Sequence, residues 1–176
     1  SRSPAALNEL AETERASVSG KGFESLEWQP DPDELAIIAL PVDRLKEAAL
    51  HLASLGYRKM LIEKPVSLRS VEISDLAEEL GQYGVNAICA YNRMAYPSLC
   101  EVRARVAEEG GPTSCTYGLT EIVQSDWPDR FSSEILSRWG IANSLHVISM
   151  VYALTGMPKN YKCHQGGGLD WHSSGS

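Results

Sequence analysis

Leu35-Ala36-Ile37-Ile38-Ala39-Leu40 is a run of six apolar residues without alternation, and Lys59-Met60-Leu61-Ile62-Glu63 repeats the texture downstream. An unalternating run of this length predicts a strand covered on both faces, the mark of a parallel sheet. Between the two runs, Asp43–Leu55 carries Leu45, Ala48, Ala49, Leu52 and Leu55 at helical spacing, with Gly56 placed to close the helix. A second helical pattern from about Leu68 to Tyr83 turns Ile73, Leu76, Ala77 and Leu80 to one side, with Ser67 as its cap. The strand Asn86–Tyr91 follows. Two βαβ units in succession make an α/β, doubly wound parallel arrangement the expected fold.

Outward from this centre, Ser3-Pro4 reads as the start of a helix over Ala5–Arg15 that carries Ala6, Leu7, Leu10 and Ala11 on one face. A short strand is expected near Ser25–Trp28. Beyond Tyr91 the texture changes. A helix from Pro97 to about Glu109 stops at Gly110-Gly111-Pro112, and Thr113–Val123 reads as a long strand rich in β-branched and aromatic residues. Gly140–Thr155 is an apolar helix closed by Gly156, and another strand is expected at Tyr161–Gln165 ahead of Gly166-Gly167-Gly168. These changes predict two domains, residues 1–92 and 93–176.

Composition narrows the function. A 176-residue chain with 43% hydrophobic and 22% charged residues has the make-up of an ordinary globular protein. Its net charge of −7 argues against nucleic acid and against an anionic membrane surface as partners. No apolar run is long enough to span a bilayer, and no basic-then-apolar leader precedes the first predicted helix. Cys89, Cys100, Cys115 and Cys163 follow no metal-ligand spacing, so the expectation is a reduced, cytoplasmic protein with no metal site.

The residues with chemical promise begin at Glu63-Lys64-Pro65. In open α/β sheets, ligands bind outside the carboxyl ends of the strands, where Lys64 falls. Proline fixes its own φ and restricts the residue before it, so the direction of Lys64 is constrained. The ordinary reading of such a triplet is a strand-ending cation that reaches solvent.

Four pieces in order, Ile37-Ile38-Ala39-Leu40-Pro41, Leu61-Ile62-Glu63-Lys64-Pro65, Tyr91-Asn92-Arg93 and His146, resemble the Gfo/Idh/MocA family of NAD(P)-dependent oxidoreductases. The resemblance covers nearly the whole chain. It implies a partial Rossmann domain followed by part of an α+β, mostly antiparallel open-sheet domain, and assembly into a homo-oligomer. It also implies hydride transfer to or from a hydroxyl carbon of a sugar, polyol or nucleotide-linked sugar. Lys64 and His146 take the catalytic positions. Arg2, Leu40, Pro41, Glu63, Pro65 and Asn92 join Lys64 around an NADP or NAD cofactor, with Arg2 at the position that suits a 2′-phosphate. Tyr91, Arg93, Trp139, Asn143 and Ser149 fall on the substrate side.

The chain departs from the family pattern at two places. Positions that hold aspartates beside the family histidine are Ala142 and Ser149 here, and the GxGxxG fingerprint that cradles a pyrophosphate does not occur. The match starts at the loop after the second Rossmann strand. The expectation is therefore a segment of a longer protein, or a fragment completed by another chain. Two functions follow: an NAD(P)-dependent dehydrogenase, or a truncated, non-catalytic relative serving as an interaction or oligomerisation module.

Overall fold

A computed structural model of the protein describes Ser19 and residues 21–27, 29–31, 33–120, 124–165 and 171–175. The predicted helix over Ala5–Arg15, Arg2, Trp28 and Gly166-Gly167-Gly168 lie outside these residues. The chain divides into two compact units, Ser1–Cys89 and Ala90–Ser176.

The first unit is α/β. Strands β1 (Leu35–Ile38), β2 (Lys59–Glu63) and β3 (Asn86–Ala90) form a parallel sheet in the order β1-β2-β3, with β1 and β2 in register from Leu35↔Lys59 to Ile38↔Ile62. Helix α1 (Val42–Leu55) connects β1 to β2, and α2 (Ser70–Gln82) connects β2 to β3. Asp43 sits in the first turn of α1, where negative charge complements the helix dipole. Gly56 ends the helix at φ 112°, with Gly56 N–H bonded to the Ala53 carbonyl and Tyr57 N–H to the Leu52 carbonyl, each at 3.1 Å. Only a residue without a Cβ adopts that φ cheaply, so a single glycine decides where α1 stops.

Both helices cover the same face of the sheet. Leu45, Ala48, Ala49, Leu52 and Ala53 from α1 pack with Leu76 and Leu80 from α2 over Ala36, Ile38, Met60 and Ile62. Each large side chain buried there contributes about 1.5–3 kcal/mol. The other face is bare among the described residues: Leu35, Ile37 and Ile88 are 52%, 68% and 62% exposed. The expectation of a first strand covered on both faces is thus corrected. An apolar run records the polarity of both faces of a strand, but not whether anything lies on each.

Three local expectations also change. Phe23–Ser25 is a 3₁₀ turn and not a strand; the Ser25 hydroxyl donates to the Gly22 carbonyl at 2.8 Å and closes it. Helix α2 begins at Ser70, two residues later than expected, and Ser67 is not its cap. Ile73 and Ala77 face solvent, leaving Leu76 and Leu80 as the buried stripe of α2.

In the second unit, Asn92–Ala95 forms a 3₁₀ turn ahead of α3 (Pro97–Glu108), whose first position is the proline. Short helices α4 (Trp127–Arg130), α5 (Ser133–Ser137) and α6 (Trp139–Ala142) lead into α7 (Leu145–Thr155). The single helix expected over Gly140–Thr155 is therefore split at Asn143-Ser144, two residues whose side chains compete with helical hydrogen bonding. Residues 113–120 form no strand, and 121–123 lie outside the described residues. β-Propensity there goes unexpressed because a strand is stabilised by cross-strand neighbours, and this segment pairs with none among the described residues. Strands β4 (Tyr161–Gln165) and β5 (Trp171–Gly175) pair antiparallel, with Cys163↔Ser173 at the centre of the register.

Candidate functional site

The carboxyl ends of β1 and β2 lie side by side because the two strands are parallel and in register. Leu40-Pro41 leaves the first end and Lys64-Pro65 the second, so four of the expected cofactor residues share one edge of the sheet. Glu63 and Lys64 are half-buried, Pro65 is buried, Leu40 is half-buried and Pro41 is exposed.

The turn after β2 is tightly held. The Lys64–Pro65 peptide is cis, and Val66 follows at φ 70°, a left-handed conformation that a β-branched residue rarely adopts. That left-handed φ at Val66 costs on the order of 1–3 kcal/mol and persists only where its surroundings over-determine it. Here they do. The Val66 N–H donates to the Glu63 carbonyl at 3.2 Å, and the Val66 side chain is part of the hydrophobic core. On the far side, the Ser67 hydroxyl hydrogen-bonds the Glu72 carboxylate and accepts from the Arg69 N–H at 3.2 Å. Lys64 is thus carried on a loop fixed by the core before it and by the first turn of α2 after it.

In the second unit the expected residues separate into two groups. Tyr91 and Ser149 line one cleft of about 480 Å³, together with Met94, Arg103, Leu145 and Ile148. The 3₁₀ turn, α3 and α7 pack together around it. The Ser149 hydroxyl donates to the His146 carbonyl at 2.9 Å, one turn back on α7. His146 is half-buried on the same helix, Arg93 is half-buried, and Asn92 and Asn143 are exposed.

Trp139 belongs elsewhere. Its ring lies 4.1 Å from that of Trp127 and 5.1 Å from that of Phe131, with Trp127 and Phe131 edge to face at 6.3 Å. The Arg130 guanidinium lies 5.5 Å from the Phe131 ring centre. Trp139 Nε1 is buried without a hydrogen-bond partner among the described residues. Sequence reading passed over the trio, although Trp127 and Phe131 stand at the i, i+4 spacing that brings side chains together. It also passed over Arg103, a charge on a polar helix that stands out only once its neighbours are seen.

Among the described residues, no group of three His, Cys, Asp or Glu side chains is placed to hold a metal ion. No helix of the described residues is long and apolar enough to cross a membrane.

The fold recurs in solved dehydrogenases. A levoglucosan dehydrogenase in complex with NADH and levoglucosan superposes with a TM-score of 0.67 at 20% identity, covering 96% of this chain and 47% of that one. The WlbA dehydrogenase from Bordetella pertussis, in complex with NADH and UDP-GlcNAcA, gives 0.67 at 14% identity over 93% of this chain and 48% of that one. The WlbA dehydrogenase from Thermus thermophilus, in complex with NAD and α-ketoglutarate, gives 0.56 at 19% identity, covering 91% and 47%. The chain spans about half the length of these structures. No protein-family model and no curated protein matches it. At these identities the likeness is one of fold: an α/β, Rossmann-like arrangement with a parallel three-strand sheet.

Proposed function

We propose that this chain carries the nicotinamide side of an NAD(P)-dependent oxidoreductase of the Gfo/Idh/MocA type. The substrate is a sugar, polyol or nucleotide-linked sugar, as in the relatives that hold levoglucosan or UDP-GlcNAcA. The observation that carries the reading is the position of Lys64, half-buried at the carboxyl end of the middle strand β2 on a turn anchored at both ends.

The residues present fit a dinucleotide unevenly. At the nicotinamide end, Leu40-Pro41 and Lys64-Pro65 supply two adjoining turns with an apolar floor and one cation. The turn from β1 into α1 offers no phosphate cradle. No glycine stands between Ala36 and Arg44, and α1 is entered through Pro41, which has no N–H to offer a phosphate.

The nicotinamide, when bound, supplies the hydride acceptor or donor. This chain's own part is to hold and move protons. The Lys64 ammonium donates to the substrate hydroxyl oxygen and favours its developing negative charge. The His146 imidazole takes the hydroxyl proton during oxidation and returns it during reduction. Tyr91, Arg93, Asn143 and Ser149 orient the substrate, and Arg2 inclines the site to NADP. The test is nucleotide binding by the chain itself, with Lys64→Ala as the control: saturable binding that the substitution removes supports the reading, and binding indifferent to it does not.

A second reading, an interaction module, draws on the bare sheet face of Leu35, Ile37 and Ile88. Sedimentation of the wild-type chain and of Ile37→Lys separates the two: a larger species that the substitution dissolves favours the module.

A further inference from the structure

The bare face of the first sheet carries an ordered charge pattern. Met60 and Ile62 of β2 are buried under the helices, so Lys59, Leu61 and Glu63 lie on the opposite face. There Leu61 stands beside Ile37 and Lys59 beside Leu35 in the register of β1 and β2, and Ile88 adds a further exposed aliphatic side chain on β3. The middle strand therefore reads cation, leucine, anion from one end of the face to the other. Lys59 holds the Asp33 carboxylate at 2.6 Å, but an ammonium has three N–H groups and this bond uses one. The Glu63 carboxylate makes no ion pair among the described residues.

Resting on the interaction-module reading and naming its partner, we propose that this face docks a second copy of the same chain, about a two-fold axis that lies between the two sheets and runs across their strands. Parallel sheets are covered on both sides, and exposed aliphatic patches mark places where something else packs. Sheets stacked face to face keep their strands within about 30° of a common line, so a two-fold axis in the contact plane runs either along the strands or across them. An axis along the strands sets Lys59 against the partner's Lys59 and Glu63 against the partner's Glu63. Like charges so placed repel. An axis across the strands reverses them, which sets Lys59 against the partner's Glu63 twice by symmetry and Leu61 against the partner's Leu61. The charges select the second arrangement. Each Lys59 then bridges its own Asp33 and the partner's Glu63, and the apolar row of Ile37 and Leu61 is closed off from water between the two ends. The patch is three strands wide, smaller than a standard interface, so the dimer is a weak one.

The test is sedimentation equilibrium of the full 176-residue chain at concentrations up to about 0.5 mM, where a weak dimer populates. Wild type is expected to approach twice its monomer mass, and Ile37→Lys to remain monomeric. Lys59→Glu and Glu63→Lys each set like charges against one another and are expected to weaken the dimer about tenfold. An equal mixture of these two variants associates again, because each then meets its complement. The double variant Lys59→Glu/Glu63→Lys pairs within about threefold of wild type, and it serves where a single variant does not fold. A wild-type chain that stays monomeric throughout would overturn the inference, as would a mixture that associates no better than its components. A larger species that Ile37→Lys dissolves but the charge variants leave unchanged would also overturn it, while leaving the module reading in place.

Discussion

Val66 donates its backbone N–H to the Glu63 carbonyl at 3.2 Å, and Lys64 and Pro65 are held in the loop that this bond closes. Glu63 is the last residue of β2, so the loop is an extension of the sheet and not a free connection. Val66 accepts an unfavourable φ while its side chain joins the core, which makes the hydrophobic cluster itself the clamp on the lysine. Packing on one face of the sheet is in this way translated into the direction of a cation at its end.

The two faces of that sheet respond differently to truncation. Leu45 is fully buried beneath it, and Leu45→Ala is expected to cost about 2–5 kcal/mol through lost transfer energy and the cavity left behind. Ile37, on the bare face, is expected to tolerate alanine within about 0.5 kcal/mol. Urea unfolding curves of the two variants, compared at equal slope, check both values.

Lys59 Nζ bonds the Asp33 carboxylate at 2.6 Å, tying the turn before β1 to the first residue of β2. That hydrogen bond, with the lysine charge, holds the Asp33 pKa below its ordinary value. A depressed carboxylate pKa means that the unfolded chain binds the proton more readily. The bridge therefore stabilises fully above the unfolded Asp value of about 3.9 and fades as pH falls through the lower folded value. Both groups are at least half exposed, so the effect is small and screened by salt. The stability gap between wild type and Asp33→Asn is expected to shrink between about pH 5 and about pH 2, and to narrow at high salt. A gap that widened toward low pH would contradict this assignment.

Trp127 and Trp139 lie with ring centres 4.1 Å apart, close enough for their transitions to couple. Trp139→Ala is expected to remove most of the near-ultraviolet circular dichroism of the chain. It should also destabilise the second unit by about 0.5–1.5 kcal/mol for each aromatic pair lost, beyond the area uncovered. Trp139→Phe keeps the packing and loses the coupled signal.

Much of the first unit was legible because its signals agree at several levels. The apolar runs at Leu35 and Met60, the helical spacing of Leu45, Ala49 and Leu52, and the glycine at position 56 all point to one βαβ arrangement. What could not be read was cover. Ile37 and Ile38 are alike in sequence, yet one is bare and the other buried, since burial depends on elements brought from elsewhere in the chain or beyond it. In the second unit, propensity misled at residues 113–120, where β-formers find no partner strand among the described residues. Apart from His146 and Ser149, helix α7 is apolar over most of its surface, so periodicity gave little sign of which side meets the cleft, and the break at Asn143-Ser144 was hidden within an apolar stretch. Lys64 was legible as a position at a strand end; the Val66 conformation that fixes it leaves no mark in the sequence.

The central claim is that Lys64 forms the lip of a nicotinamide site. Titrating the chain with NADPH and NADH, and following the fluorescence of the reduced nicotinamide, tests it most directly. The expected result is saturable binding with a Kd below about 1 mM, tighter for NADPH, that is abolished by Lys64→Ala and retained by Lys59→Ala. A fluorescence change that stays linear to about 1 mM, or saturable binding that Lys64→Ala leaves intact, would contradict the claim.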